Sequence, residues 1–212
     1  MVRVSTLSAL GCLFSSASVL VSGSPLAALN AELARREYTL FNGPIEWKGV
    51  LEDGGEEVYL SGATFDEIDT KAKAINPSYT IFDHSAAVEA RDASIEARQN
   101  IPVSIQCGWP PGWTPTWDFL ALDAGINYLK GLQGSCRNPP GPGFCGRVSC
   151  SWGSGIYYCN DNRHEIWVPC RDLGDVAHSI VSRCADRGAN GRTLGQAFHS
   201  GNWNVIVAAG DC

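Results

Sequence analysis

The sequence predicts an α+β protein. The expected core is a small disulfide-stapled sandwich of β-α-β-β-α-β order, with two helices on a four-stranded, mainly antiparallel sheet. A β-rich acidic segment precedes it. Three observations carry this expectation. Of nine cysteines, all but Cys12 lie between Cys107 and Cys212, the density of a disulfide framework in an oxidising compartment. Two stretches in that region space their apolar residues by three and four, as amphipathic helices do. Runs of period two precede, separate and follow them, as half-buried strands do.

Charge divides the 212-residue chain further. Residues 1–36 carry +2, residues 37–100 carry −8 and residues 101–212 are balanced, which returns the net −6. The acidic bias therefore belongs to the segment without cysteines. No concentrated basic face is visible, which argues against nucleic acid as a partner.

Residues 1–24 have a basic start at Arg3 and an apolar, small-residue run from about Leu7 to Val21. That run is short and serine-rich for a membrane span and fits a secretory signal peptide. Cleavage after the small residues Ser16 and Ser18, or near Gly23, removes Cys12 and leaves an even set of eight. Residues 25–36 read as a possible propeptide ending in Arg35-Arg36. That pair is either a processing site, with cleavage after Arg36, or two solvated charges at a helix end.

In the acidic segment, Tyr38–Phe41, Ile45–Leu51 and Glu57–Leu60 read as short strands separated by Asn42-Gly43 and Asp53-Gly54-Gly55 turns. Asn42-Gly43 suits a hairpin because both residue types tolerate positive φ. Thr64 reads as the cap of a short helix with Glu67 three residues on, ended by Pro77. Ile68, Ala72 and Ile75 give that helix one apolar face. Residues 84–100 are charged and alanine-rich and read as a linker. The segment is either a propeptide removed near Arg98 or a permanent β-rich cap.

In the cysteine domain, Val103, Ile105 and Cys107 alternate with polar neighbours as a first strand. Thr114 is the expected N-cap of the first helix, with Pro115 at its first position. Phe119, Leu122, Ile126 and Leu129 share one face of it. The stretch Cys145–Asn162, CGRVSCSWGSGIYYCNDN, reads as a disulfide-pinned hairpin. With Gly153-Ser154 as its turn, Val148, Cys150, Trp152, Tyr157 and Cys159 fall on one face, the core face. Asp172 is the expected cap of the second helix. Its residues Leu173, Val176, Ala177, Ile180, Val181 and Cys184 form the strongest helical stripe in the chain, and Cys184 is placed to bond the helix to the sheet beneath. Trp203, Val205 and Val207 alternate along a final strand. Cys107, Cys136, Cys145, Cys150, Cys159, Cys170, Cys184 and Cys212 are all expected in disulfides. Eight cysteines allow 105 connectivities, and spacing does not choose among them.

The strand IQCGW, the loop PGPGFCGRVSC, the hairpin IYYCNDN and the closing run FHSGNWNVIV before a final cysteine resemble small secreted cysteine-rich fungal proteins. The order over residues 101–212 is similar to that of the killer-toxin-like and necrosis-inducing extracellular effector families. The resemblance implies a cysteine-stapled sandwich that acts outside the cell on a host or competing microbe, by binding or by perturbing membranes. It brings no catalytic set with it, and the basic excess of a channel- or membrane-directed toxin is missing here.

Chemistry-bearing residues are few. His164-Glu165, beside Asn160-Asp161-Asn162, makes a polar cluster suited to acid/base work. His199 completes it if the final strand pairs with the hairpin. The competing reading is a polar loop rich in turn-formers. No zinc-ligand spacing, G-x-S-x-G elbow or phosphate-binding glycine loop is present, so neither metal nor cofactor is expected. Trp109, Trp113 and Trp167 lie in loops and are candidates for a binding surface, while Trp152 and Trp203 are expected in the core. The expected function is a secreted effector- or toxin-like protein that binds an extracellular protein, glycan or membrane component of a host or competitor. The alternatives are a small secreted hydrolase or nuclease using His164, Glu165 and His199, or a cell-wall carbohydrate-binding protein.

Overall fold

The structure, a computed structural model, describes residues 37–83, 102–186 and 191–212. The expected signal peptide with Cys12, the Arg35-Arg36 pair and the linker over 84–100 lie outside the described residues. Among those described, the chain is α+β, with three helices, two sheets and four disulfides. The simple β-α-β-β-α-β order is not what forms. The elements are β1 Thr39–Phe41, β2 Ile45–Val50, β3 Glu57–Gly62, α1 Phe65–Ile75 and β4 Ser104–Cys107. Then follow α2 Phe119–Lys130, β5 Ser135–Asn138, β6 Phe144–Ser151, β7 Ser154–Asn160 and β8 Ile166–Pro169. The chain closes with α3 Cys170–Cys184, β9 Gly195–His199 and β10 Trp203–Ala209.

Local chemistry sets the helix ends. Thr64 Oγ1 accepts the Glu67 N–H at 3.2 Å, and the Glu67 carboxylate accepts from the Ala63 N–H at 2.8 Å, a variant of the capping box. Phe65, Ile68 and Ala72 then turn into the core, while Ile75 stays exposed at the helix end. The first helix of the cysteine domain starts later than Thr114. Thr116 is held extended by paired backbone bonds with Thr193, so Asp118 becomes the N-cap and accepts from the Ala121 N–H at 2.9 Å. Phe119 is consequently exposed, while Leu122, Ile126 and Leu129 are buried. Asp172 does not cap α3. That helix begins at Cys170, whose N–H bonds to the Gly134 carbonyl, and Asp172 sits in the first turn, where its charge suits the helix dipole. The predicted stripe of α3 is buried, and Cys184 bonds Cys107 of β4.

Six strands, in the order β1-β6-β7-β10-β9-β4, form one sheet, and β3-β2-β5-β8 form the other. Helices α2 and α3 pack on each other and on the larger sheet. Strands β5, β8 and β9 were absent from the expected order because they are only four or five residues long and lack an alternating apolar run of useful length. The Asn42-Gly43 turn does not make a hairpin. It passes the chain from the edge of one sheet to the middle of the other, and β1 instead pairs in parallel with β6.

The Cys145–Asn162 stretch is a hairpin with a different register from the expected one. Ser151 pairs Ser154, so the turn is Trp152-Gly153, with φ of 49° and 74°, the positive values a type I′ turn requires. A bulge between Arg147 and Ser149 shifts the facing of the strand. The expected single core face is therefore split. Val148 joins the main core with Ile156 and Tyr158, whereas Tyr157 and Cys159 join a second cluster with Cys145, Ile206 and Ala208. Cys145 opposes Cys159 and is bonded to it. Trp152 is at the hairpin tip and 84% exposed, not in the core; Trp203 is buried, as expected. Strands β7 and β10 are buried on both faces because Tyr38 and Trp113 pack against the second cluster.

The acidic segment is part of the same body. β1 extends the larger sheet, β2 and β3 build half of the smaller one, and Trp47, Phe65, Ile68, Ala72 and Ile81 belong to the main core. Asp69 ties α1 to the strand-like end of the segment. Its carboxylate accepts from Thr80 Oγ1 at 2.7 Å, the Ile81 N–H at 2.8 Å and Lys73 Nζ at 2.6 Å. Burial pushes the carboxyl up, and these donors outweigh it and hold it below the usual range.

Residues 102–212 alone would leave the core side of the smaller sheet without Trp47 and Phe65. That fragment should bind a hydrophobic dye and lose the cooperative thermal transition of the full protein; a fragment unfolding as sharply as the whole would contradict the shared core. A second expectation concerns acid. Because its folded value is depressed, Asp69 contributes stability above the unfolded carboxyl value of about 4 and loses it as pH falls through the folded value. Asp69→Asn should be less stable at neutral pH and lose less stability than the parent between about pH 4 and pH 2, measured by denaturant titration at each pH.

Candidate ligand-binding face

The smaller sheet has one buried and one open side. Trp47, Cys136 and Val168 stand in register across β2, β5 and β8 and are all buried. By the period of a strand, their neighbours point the other way. Lys48 is flanked by Tyr59 on β3 and Ser135 on β5, and Arg137 opposes Trp167 on β8.

These outward side chains form one continuous arrangement. The Tyr59 and Trp167 rings meet edge to face, with centroids 5.7 Å apart and planes at 82°. Lys48 Nζ lies 5.0 Å from the Trp167 centroid and 5.8 Å from that of Tyr59, within the range of cation–π attraction. The same ammonium pairs with Glu57 at 3.2 Å, and the Tyr59 hydroxyl donates to Glu57 Oε2 at 2.7 Å. The hydrogen bond from Tyr59, followed by that from Lys48, holds the Glu57 carboxyl below its ordinary range; Glu57 in turn raises the Tyr59 hydroxyl. On the far side, Arg137 donates through Nε and Nη2 to Glu165 Oε2 at 2.8 and 2.6 Å, and through Nη1 to Glu46. Arg137 lowers the Glu165 carboxyl, and the two glutamates raise the guanidinium. Tyr59 is 62% exposed. The face thus presents an aromatic corner set between ordered carboxylates.

Each residue of the sequence-predicted acid/base cluster has its own setting. β10 does pair with β7, which was the condition for His199 to join it. His199 stacks on Trp203 with centroids 4.5 Å apart, and its Nδ1 accepts the Gly201 N–H. Glu165 is engaged with Arg137 and, through Oε1, with the Trp167 Nε1–H at 3.4 Å. His164 is exposed, and its main-chain carbonyl accepts from Asn160 Nδ2 at 2.8 Å.

Asn160-Asp161-Asn162 is a brace. The Asn160 side chain is fully buried, donates also to the Pro139 carbonyl at 2.8 Å and accepts the Asn162 N–H at 2.8 Å. Asp161 accepts from the Gly143 N–H and from Asn204 Nδ2. Asn204 accepts in turn from Gln196, whose side chain bonds the Tyr38 hydroxyl. A hydrogen-bonded chain of this kind joins the backbone around Tyr38, Gly143, Asp161, Gln196 and Asn204 and leaves few lone pairs for chemistry.

Of the tryptophans proposed for binding, Trp167 lies on the open face. Trp113 is half-buried, edge to face with Tyr38 at 5.9 Å and Tyr157 at 4.9 Å. Trp109 is half-buried, and its Nε1 has no hydrogen-bond partner. A cleft of about 380 Å³ opens between α1, α2 and β6, lined by Phe65, Tyr128 and Ser149 among others. Its Tyr128 hydroxyl donates to Asp66 at 3.0 Å. No cluster of three or more His, Cys, Asp or Glu side chains among the described residues is placed to hold a metal ion. Sequence reasoning missed Tyr59, Lys48 and Arg137. The signal for Tyr59 was present: Val58 and Leu60 alternate with it, which leaves an aromatic on the polar side of a strand.

Asn160→Ala would strand the Pro139 and His164 carbonyls and the Asn162 N–H. It should lower unfolding stability by about 2–3 kcal/mol in denaturant melts, without altering any property that depends only on Tyr59 and Trp167.

No protein-family model matches the chain, and no curated protein or solved structure matches it either.

Proposed function

We propose that the chain is a secreted, non-catalytic binding protein of the effector- or toxin-like kind. Its target is an extracellular component of a host or competing microbe, engaged through the open face of the smaller sheet. One observation carries the reading: Tyr59, Lys48 and Trp167 converge on the solvent side of a sheet whose other side is core. Aromatic side chains that bury their bodies weakly and stay ordered are the usual anchors of recognition surfaces. Here the order comes from Glu57 and Glu165, each fixed by a cation, so little side-chain freedom remains to be lost on binding.

Export is supported by the signal-like start and by the four disulfides, which suit an oxidising compartment. No helix among the described residues is long and apolar enough to cross a membrane. The commitment of Glu165 to Arg137 disfavours a hydrolase that would use Glu165 as its general acid, because a carboxylate held ionised by a guanidinium is a poor proton donor.

The test is binding of the labelled full-length secreted form to intact microbial and plant cells. The Tyr59→Ala/Trp167→Ala double variant should lose about tenfold or more of the bound fraction at sub-saturating concentration. The Trp117→Ala/Trp152→Ala variant, which changes exposed aromatics elsewhere, should bind as the parent does. Equal loss in both variants, or none in the first, would remove the open face from the function.

A further inference from the structure

We infer that the open face takes a neutral oligosaccharide, with one pyranose ring seated in the corner between Tyr59 and Trp167. The inference rests on the reading of that face as the recognition surface and adds the chemistry of what it recognises. The Tyr59 and Trp167 planes stand at 82°, so they do not make the flat, coplanar platform that a crystalline polysaccharide surface would cover. The 62%-exposed Tyr59 ring instead offers a single sugar ring a surface for its C–H side, with Trp167 and the Lys48 ammonium that lies over both rings at its edge. The amphipathic character of both matches: a pyranose has an apolar face and a rim of hydroxyls, and each aromatic side chain pairs an apolar body with a polar tip.

The polar groups at the rim suit hydroxyls. Glu165 Oε2 takes both bonds from Arg137, while its Oε1 has only the 3.4 Å contact with Trp167, so lone pairs remain there to accept from a sugar hydroxyl. Lys48 directs its ammonium at Glu57 and retains donor capacity for a ring or glycosidic oxygen. A donor and an acceptor thus both border the aromatic pair, the complement of vicinal hydroxyls that both give and take hydrogen bonds.

Charge selects among glycans. Glu46, Glu57 and Glu165 stand against Lys48 and Arg137, three carboxylates to two cations, and both cations are already paired. A uronate, sulfated or phosphorylated chain would face the net negative charge of these five groups with charge of the same sign. A neutral chain would not.

The experiment is titration calorimetry of the full-length secreted form with three soluble probes: β-linked gluco-oligosaccharides, N-acetylglucosamine oligosaccharides and oligogalacturonate. At least one neutral probe should bind, with quenching of tryptophan fluorescence, and oligogalacturonate should not. Tyr59→Ala and Trp167→Ala should each weaken that binding by about tenfold, with Tyr59→Phe and Trp167→Tyr retaining most of it and circular dichroism confirming the fold. Absence of binding by both neutral probes overturns the inference, as does binding that ignores the Tyr59 and Trp167 changes. If cell binding still depends on Tyr59 and Trp167 while neutral sugars fail, the face stands as the recognition surface and its target is not a neutral glycan. If cell binding ignores both residues, the reading of the face falls first.

Discussion

Trp47 facing Cys136 across the β2–β5 seam is the contact on which the rest of the protein depends. β2 comes from the cysteine-free acidic segment and β5 from the cysteine domain, so this short ladder joins two parts of the chain that have no covalent staple between them. The indole is fully buried and donates to the Gln133 carbonyl at 2.7 Å. Cys136 beside it is bonded to Cys170, the first residue of α3. Gly134 lets the seam close. Its φ is +76°, and a side-chain carbon there would lie 2.5 Å from both the indole and the Lys48 carbonyl. One register therefore sets the position of the acidic segment, the start of α3 and the depth of the core together.

The disulfides complement that seam by guarding other joints. Cys107–Cys184 ties the edge strand β4 to the end of α3, and Cys150–Cys212 ties the hairpin near its tip to the end of the chain. Cys145–Cys159 clips the hairpin across directly opposed residues. In the chain-entropy view, a bond closing 77 residues restricts the unfolded ensemble more than one closing 14, by roughly 1–2 kcal/mol. The longest closure lies at the sheet edge farthest from β1, where strand pairing is available on one side only. The longest covalent closure is placed at a sheet edge, and the noncovalent seam is placed in the buried core.

What could be read from the sequence follows from how far each signal reaches. The stripe from Leu173 to Cys184 and the capping pair Thr64 and Glu67 are local, and both survive in the fold. The bond from α3 to the sheet through Cys184 was also legible, because a cysteine on a buried stripe has to meet a partner beneath. The fate of the hairpin was not. Its register turns on Trp152 adopting a positive φ, which sequence preference assigns to Gly153 alone, and on a bulge at Val148 that carries no composition mark. The short strands β5 and β8 are specified by their neighbours: SCRN extends between β2 and β8, and IWVP extends against β5. The polar run Asn160–Asn162 shows the same limit from the other side. Its composition suits chemistry, yet its side chains are consumed by carbonyls and amides that only the folded chain brings near.

The same seam explains why the open face has the contents it has. A strand that buries Trp47 must expose Lys48, and a strand that buries Cys136 must expose Arg137. Once two cations are fixed on the solvent side, carboxylates on flanking positions are favoured, and Glu57, Glu46 and Glu165 supply them. Exposed pairs of this kind add little to stability in water, and edge-to-face rings half in solvent bury little area. Their number on one face is therefore poorly explained by the needs of folding. A sheet that required only solubility would be served by scattered charges without Tyr59 and Trp167 between them. What the face keeps is an exposed Tyr59 ring beside Trp167, with the charged groups around the pair already oriented.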